Sequence, residues 1–191
     1  MKPVVFDFDK TLTNYDTLFG FYREVDGSSP DFHVKRAMLF VAALVYKARL
    51  MSNDKLKSFG IWLFLRGKTH EQIECAACTY AHKIKLNKVY EEHFLSVPQR
   101  DRIVISASLV AYLEKCFPDE LVAGSALLFS DGRVAGLAEN MYGEQKLSWL
   151  SRRGIDQCRR LFTDSVSDRP LMDVAIEVFL VDNGVAKKVK G

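Results

Sequence analysis

Short apolar runs alternate with helical patterns along most of this chain, and that alternation limits the fold more than any other feature. Val4–Phe8, Arg102–Ser106, Arg160–Thr163 and Glu177–Val181 are rich in β-branched and aromatic residues, as expected of strands buried on both faces of a parallel sheet. Glu120–Ala123 suits a further strand. Ala126–Phe129 and Arg133–Leu137 flank Ser130-Asp131-Gly132, a hairpin signal. Helical patterns follow Ser106 as far as Phe117, begin again near Gly143, and follow Pro170. Strands and helices in this order predict an α/β protein with a doubly wound parallel-sheet core. After Val181-Asp182-Asn183 little chain remains for a further element.

The middle of the chain has a different texture, with long helical patterns and almost no glycine. Three helices are expected, over Phe32–Leu50, Asn53–Leu65 and Thr69–Phe94. Ser52-Asn53 and Arg66-Gly67-Lys68 supply the breaks, and Thr69 with Gln72 forms a capping box. The expected organisation is a core of residues 1–13 and 98–191 interrupted by an α-helical cap at 14–97.

With 191 residues, 48% hydrophobic and 27% charged, the chain suits one globular domain carrying an insertion. A net charge of +3 is too small to imply nucleic acid, and no nucleic-acid partner is expected. Cys75, Cys78, Cys116 and Cys158 lack disulfide-framework spacing, and the polar start of the chain develops no signal-peptide core. Both point to a reducing, cytoplasmic setting. The longest wholly apolar run, Ala37–Tyr46, has ten residues, against about 20 for a spanning helix.

The chemistry concentrates in Phe6-Asp7-Phe8-Asp9-Lys10-Thr11-Leu12-Thr13. Two carboxylates two residues apart share one side of an extended chain, at the carboxyl end of a strand where open α/β sheets bind ligands. Alone, they suit an acidic strand-end turn equally well. A calcium loop does not fit, because Leu12 and Leu18 stand where glycine and glutamate are required. Thr163-Asp164-Ser165-Val166-Ser167-Asp168 repeats the pattern after another strand. Asp7, Asp9 and Asp164 suit one magnesium ion if their strands are neighbours. Ser106-Ala107-Ser108 offers donors for phosphate oxygens at the start of a helix, and Lys146 lies just inside a helix opened by Tyr142-Gly143-Glu144.

Taken together, these four stretches resemble the motifs of the haloacid dehalogenase-like hydrolase superfamily, in its phosphoserine-phosphatase-like branch. Asp-Phe-Asp-Lys-Thr-Leu-Thr resembles the first motif, Ile-Ser-Ala-Ser the second, Gly-Glu-Gln-Lys the third and Asp-Ser-Val-Ser-Asp the fourth. The resemblance implies a magnesium-dependent phosphomonoester hydrolase acting through an aspartyl-phosphate. It implies Asp7 as nucleophile and Asp9 as general acid, then base. It also implies Mg2+ held by Asp7, the Asp9 backbone carbonyl and Asp164, with Asp168 in support, and a phosphoryl group held by Thr11, Ser106 and Lys146. The carboxylate at Asp9 favours phosphoester hydrolysis over dehalogenation, which needs no proton donor. A phosphotransferase using the same intermediate, and a non-catalytic phosphate-binding module, stay open.

Two features depart from that pattern. Phosphoserine phosphatases place a glutamate shortly after the first motif, where this chain has Asp16, a candidate for substrate specificity. His33–Lys68 holds eight Lys or Arg against one acid, a local net of +7 around two apolar runs. A solvated cap surface accounts for this, as does peripheral contact with a lipid headgroup layer. The layout is similar to the cap of bacterial phosphatidylglycerophosphate phosphatases, so the substrate is expected to be a small or lipid phosphomonoester. Cys75, Cys78 and His82 share one helix face, a poor geometry for zinc, and are expected as small buried groups on a packed helix.

Overall fold

The computed structural model describes residues 2–191. Its centre is β1 (Val4–Phe6), whose three residues are entirely buried, as an apolar run without alternation requires. β2 (Arg102–Leu109) and β5 (Cys158–Thr163) flank it in parallel. β3 (Leu121–Ser130), β4 (Arg133–Glu139), β6 (Ala175–Asp182) and β7 (Val185–Lys190) complete a seven-stranded sheet of order β4-β3-β2-β1-β5-β6-β7. The five inner strands are parallel, and β4 and β7 are antiparallel edges.

Alternate side chains of the strands build two cores. Val5, Ile103, Leu161 and Val178 meet Trp149 and Leu150 of α6 (Glu144–Ser151) and Leu171 of α7 (Arg169–Val174) on one face. On the other, Phe6 stacks on Phe162 at 4.8 Å, Phe162 on Phe179 at 4.6 Å, and Phe94 meets Phe6 edge-on at 5.0 Å. This second core continues without interruption into the helical segment.

That segment comprises α1 (Leu18–Asp26), α2 (Phe32–Lys47), α3 (Asn53–Phe64) and α4 (His70–Ala81). The buried stripe of α4 is Ile73, Ala77 and Tyr80. Tyr80 and Phe21 close on Tyr112 of α5 (Val110–Cys116), at 5.4 and 5.0 Å between ring centroids. The capping box at Thr69 and Gln72 is present.

Several expectations are corrected. The helix expected over Thr69–Phe94 stops at Ala81, because Asn87 bonds to the chain after β1 instead of continuing a helix. Its side chain donates to Thr11 O and Thr13 O, each at 3.0 Å, and its backbone N–H donates to Leu12 O at 2.9 Å. The following turn, Tyr90–Phe94, lies against the sheet, with Phe94 on Phe6. The two short strands expected around Gly124-Ser125 are one strand, β3. Its first half pairs with β2 and its second with β4. Gly124 permits this, since a Cβ there would lie 2.7 Å from Val110 N and 2.8 Å from Ser108 O. A further element does follow β6: Asn183 and Gly184, both at positive φ, turn the chain into β7. The other edge is not open either. Gly67 N donates to Val134 O and Val134 N to Lys68 O, both at 2.9 Å, so the α3–α4 link pairs with β4.

Candidate active site

The parallel strands β1, β2 and β5 direct their carboxyl ends to a common edge, where a cavity of about 410 Å³ opens. Asp7, Asp9, Lys10, Asp16, Ser106, Lys146 and Asp164 line it together with residues of the helical segment. The backbone holds Asp7 in place, with Asp7 N donating to Phe162 O at 2.9 Å. After Asp9 the chain turns sharply. Lys10 adopts positive φ, and the amides of Thr11, Leu12 and Thr13 all point to Phe8 O.

Lys146 lies in the first turn of α6, opened by Gly143 at positive φ. Its ammonium is buried between Asp7 Oδ1 at 3.0 Å and Asp168 Oδ2 at 2.9 Å. Thr163 Oγ1 also donates to Asp168, at 2.7 Å. Burial works against the Lys146 cation, but the two carboxylates outweigh it and hold its proton affinity above the usual lysine range. Asp168 is fully buried and does not line the cavity.

Asp9 accepts from Thr17 N at 2.9 Å and Thr17 Oγ1 at 2.6 Å on one oxygen, and from the Ser108 hydroxyl on the other. Burial pushes Asp9 up to about 6 and the nearby Asp16 charge adds to it, while the Ser108 and Thr17 hydrogen bonds pull it down. Burial also pushes Asp7 up to about 7. Lys146 opposes this, while Asp168, Asp164 and Asp9 reinforce it. Asp164 is raised by burial, with Lys10 acting against it.

These acids carry more negative charge than Lys146 offsets, which suits a divalent cation. Among the described residues, no three carboxylate, imidazole or thiolate side chains form a ready metal cluster. Asp7, Asp9, Asp16 and Asp164 all bring oxygen donors to the cavity wall. Two or three oxygens are what magnesium takes from a protein, since it keeps several waters, so the donor set fits.

The structure brings Asp7, Asp9, Asp16, Ser106, Lys146 and Asp164 together on one cavity. Thr11 is different: it is fully buried, does not line the cavity, and its hydroxyl has no partner. The serines do not open a helix. β2 continues to Leu109, and Ile105 pairs with Ala123 but Leu109 with Ser125, so Ser106–Ser108 bulge out of register beside the cavity. Ser108, expected to face phosphate, instead holds Asp9.

Thr17, Lys57, Ser125 and Asn140 were missed. Lys57 reaches across from α3, donating to Ala107 O, to Ser125 Oγ at 3.0 Å and to Asn140 Oδ1. Asn140 is in turn pinned by Asn53, at 3.0 Å, and by Asp54. No motif spacing links these residues, because topology alone brings them together. Cys75, Cys78 and His82 are exposed rather than buried, since the inward stripe of α4 is Ile73, Ala77 and Tyr80.

The fold is a doubly wound α/β sheet with its acids and lysine gathered at the carboxyl edge of the parallel strands. The chain belongs to the haloacid dehalogenase-like hydrolases, whose family model matches residues 4–173. No curated protein matches the chain significantly. Among solved structures, a protein of unknown function from Bordetella pertussis Tohama I has 16% identity and a TM-score of 0.71, covering 90% of this chain and 85% of its own. A phosphoserine phosphohydrolase-like protein from Francisella tularensis has 18% identity and a TM-score of 0.64, covering 93% and 86%. A phosphoserine phosphatase bearing a phospho-aspartyl intermediate analogue has 18% identity and a TM-score of 0.61, covering 93% and 84%. At these identities the likeness is one of fold.

Proposed function

We propose that the protein is a phosphatase that hydrolyses phosphomonoesters with magnesium, through a phosphoryl group carried covalently on Asp7. The observation that carries this reading is the Lys146 ammonium held between Asp7 and Asp168 beside a cavity that Asp9 also enters. In this reading Asp7, the Asp9 carbonyl and Asp164 would hold Mg2+. When bound, the ion would offset the charge on the substrate phosphate.

An Asp7 oxygen attacks phosphorus in line with the leaving oxygen, forming the acyl-phosphate as the ester P–O bond breaks. Lys146 and Ser106 hold the equatorial oxygens, and Lys146 also lowers the repulsion between Asp7 and the incoming anion. Asp9, protonated, gives its proton to the departing alkoxide. As a carboxylate it then takes one from the water that cleaves the acyl-phosphate and restores Asp7. Its raised proton affinity near neutrality suits both duties.

The helical segment acts as a cap in this reading, since Leu39, Tyr46, Leu56 and Lys57 form the wall opposite the acids. The substrate is a small or lipid phosphomonoester, and the segment's basic, apolar surface supports peripheral contact with a membrane. All four cysteines are free, which supports a cytoplasmic setting. No described helix is long and apolar enough to cross a membrane. The test is acid-quench trapping with a radiolabelled phosphomonoester and Mg2+. Label on the wild-type chain but not on Asp7→Asn is the expected result. Turnover with no labelled protein at any time, and undiminished in Asp7→Asn, overturns the reading.

A further inference from the structure

We propose that the outward face of α2, with its neighbours on α3, seats on an anionic lipid bilayer. α2 has sixteen residues, twelve of them apolar, yet only Phe32 and Ala42 are buried. At 100° per residue, Val34, Ala37, Met38, Phe40, Val41 and Leu44 occupy one arc of roughly 160°. Val34 and Phe40 are each 63% exposed, Val41 59% and Leu44 49%. A contiguous apolar face of this kind marks an interaction surface rather than ordinary soluble surface. α3 adds Trp62, 51% exposed and stacked on Phe59 at 5.9 Å, with Lys55 about two turns before it and Arg66 just past the helix end. Amphipathic aromatic rings of this sort favour the headgroup level of a membrane.

Charge selects the occupant. Of the eight basic residues between His33 and Lys68, three are engaged inside the protein. Lys35 and Lys68 both bind the buried Asp26, at 2.7 and 3.0 Å, and Lys57 is in the polar network of the cavity wall. Arg36, Lys47, Arg49, Lys55 and Arg66 are exposed and form no ion pair among the described residues. The nearby acids are already occupied, Asp31 by Lys35 and Ser29 and Asp54 by Asn140. Apolar side chains rimmed by unpaired cations match a surface that is oily within and anionic at its headgroups. A second copy of the chain, paired across a two-fold axis, would set these cations against one another.

The inner face of the same helix supplies Leu39, Ala43 and Tyr46 to the cavity holding Asp7. Seating rests on the phosphatase reading for its use, because it would bring lipid-borne phosphomonoesters to Asp7, but it needs no turnover to be measured.

The experiment is co-sedimentation with vesicles of phosphatidylcholine, with and without phosphatidylglycerol, alongside hydrolysis of soluble p-nitrophenyl phosphate. The protein should pellet with the anionic vesicles and be released by salt. Lys47→Ala and Arg49→Ala should each weaken binding by about fivefold. Val41→Asp with Leu44→Asp should abolish it, while circular dichroism and soluble turnover stay at wild-type levels. Equal binding to neutral vesicles, or no binding at all, overturns the proposal. So does a dimer in sedimentation that the Val41→Asp, Leu44→Asp protein cannot form. Vesicle binding without hydrolysis of any phosphomonoester leaves the seating intact and removes the phosphatase reading.

Discussion

The Ser108 hydroxyl donates to Asp9 across the cavity from the bulge that also carries Ser106, tying the proposed proton donor to the proposed phosphate-binding loop. Asp9 is pushed up to about 6 by burial, with Ser108 pulling the other way. A general acid works in its protonated form, so hydrolysis of alkyl phosphates should fall as pH rises through about 6. p-Nitrophenyl phosphate, whose leaving group needs little help, should show a flatter profile. Ser108→Ala removes a donor to the carboxylate and should move the alkyl-phosphate limb to higher pH. Profiles of kcat against pH for the two substrates decide this, and identical profiles exclude Asp9 as the acid.

Asp7→Asn should lower turnover by about 10³-fold or more, because an amide cannot form the acyl-phosphate. The fold should survive. The substitution removes one of several mutually repelling acids, and Lys146 keeps Asp168 as its partner. Phosphate release and a thermal melt test the two halves of this prediction separately.

Removing divalent cations with a chelator should stop hydrolysis, and Mg2+ should restore it. Binding to the folded state alone raises stability. Mg2+ should therefore raise the melting temperature of the wild type and do so far less for Asp164→Asn. An equal rise in both would take Asp164 out of the ligand set.

Lys57 is pulled down by burial to about 8, against an ordinary lysine value of 10.5. The unfolded chain therefore binds this proton more tightly than the folded one. Stability from this residue should rise as pH climbs from about 8 toward 10.5. Lys57→Met should lose that rise. It should also raise KM more than it lowers kcat, since Ala107 O loses a donor that steadies the Ser106–Ser108 bulge. Urea titrations at pH 7.5 and 9.5, with kinetics at neutral pH, check both effects.

The alternation of buried strands and the four motif stretches were legible because each is local. β1 announces itself by burial on both faces, and Asp7, Asp9 and Asp164 follow strands that lie side by side. α1 was not foreseen, although Leu18, Phe21, Tyr22 and Val25 carry a helical period. Its N-terminus merges with the loop in which Thr17 serves Asp9. Asn87 ended a helix for the sake of residues 74 to 76 positions earlier, and no local pattern carries that information. The same holds for Lys57. In sequence it is one of eight cations in a basic run, and only the packing of α3 over β2 separates it from the five that face solvent. β7 was readable in principle from Asn183-Gly184, a strong hairpin signal.

The pairing of Gly67, Lys68 and His70 with β4 bears on how this protein behaves at high concentration. A sheet that ends in a bare strand invites a neighbouring molecule to add its own, the first step toward fibres. Here one margin is occupied by the chain's own α3–α4 link, and the other, β7, carries Lys187, Lys188 and Lys190 at the surface, Lys188 paired with Glu177 and Lys190 donating to Met172 O and Asp173 O. One border is thus closed by hydrogen bonding and the other guarded by charge. The vulnerable border is the second, where neutralising the three lysines would leave a strand free to recruit its like.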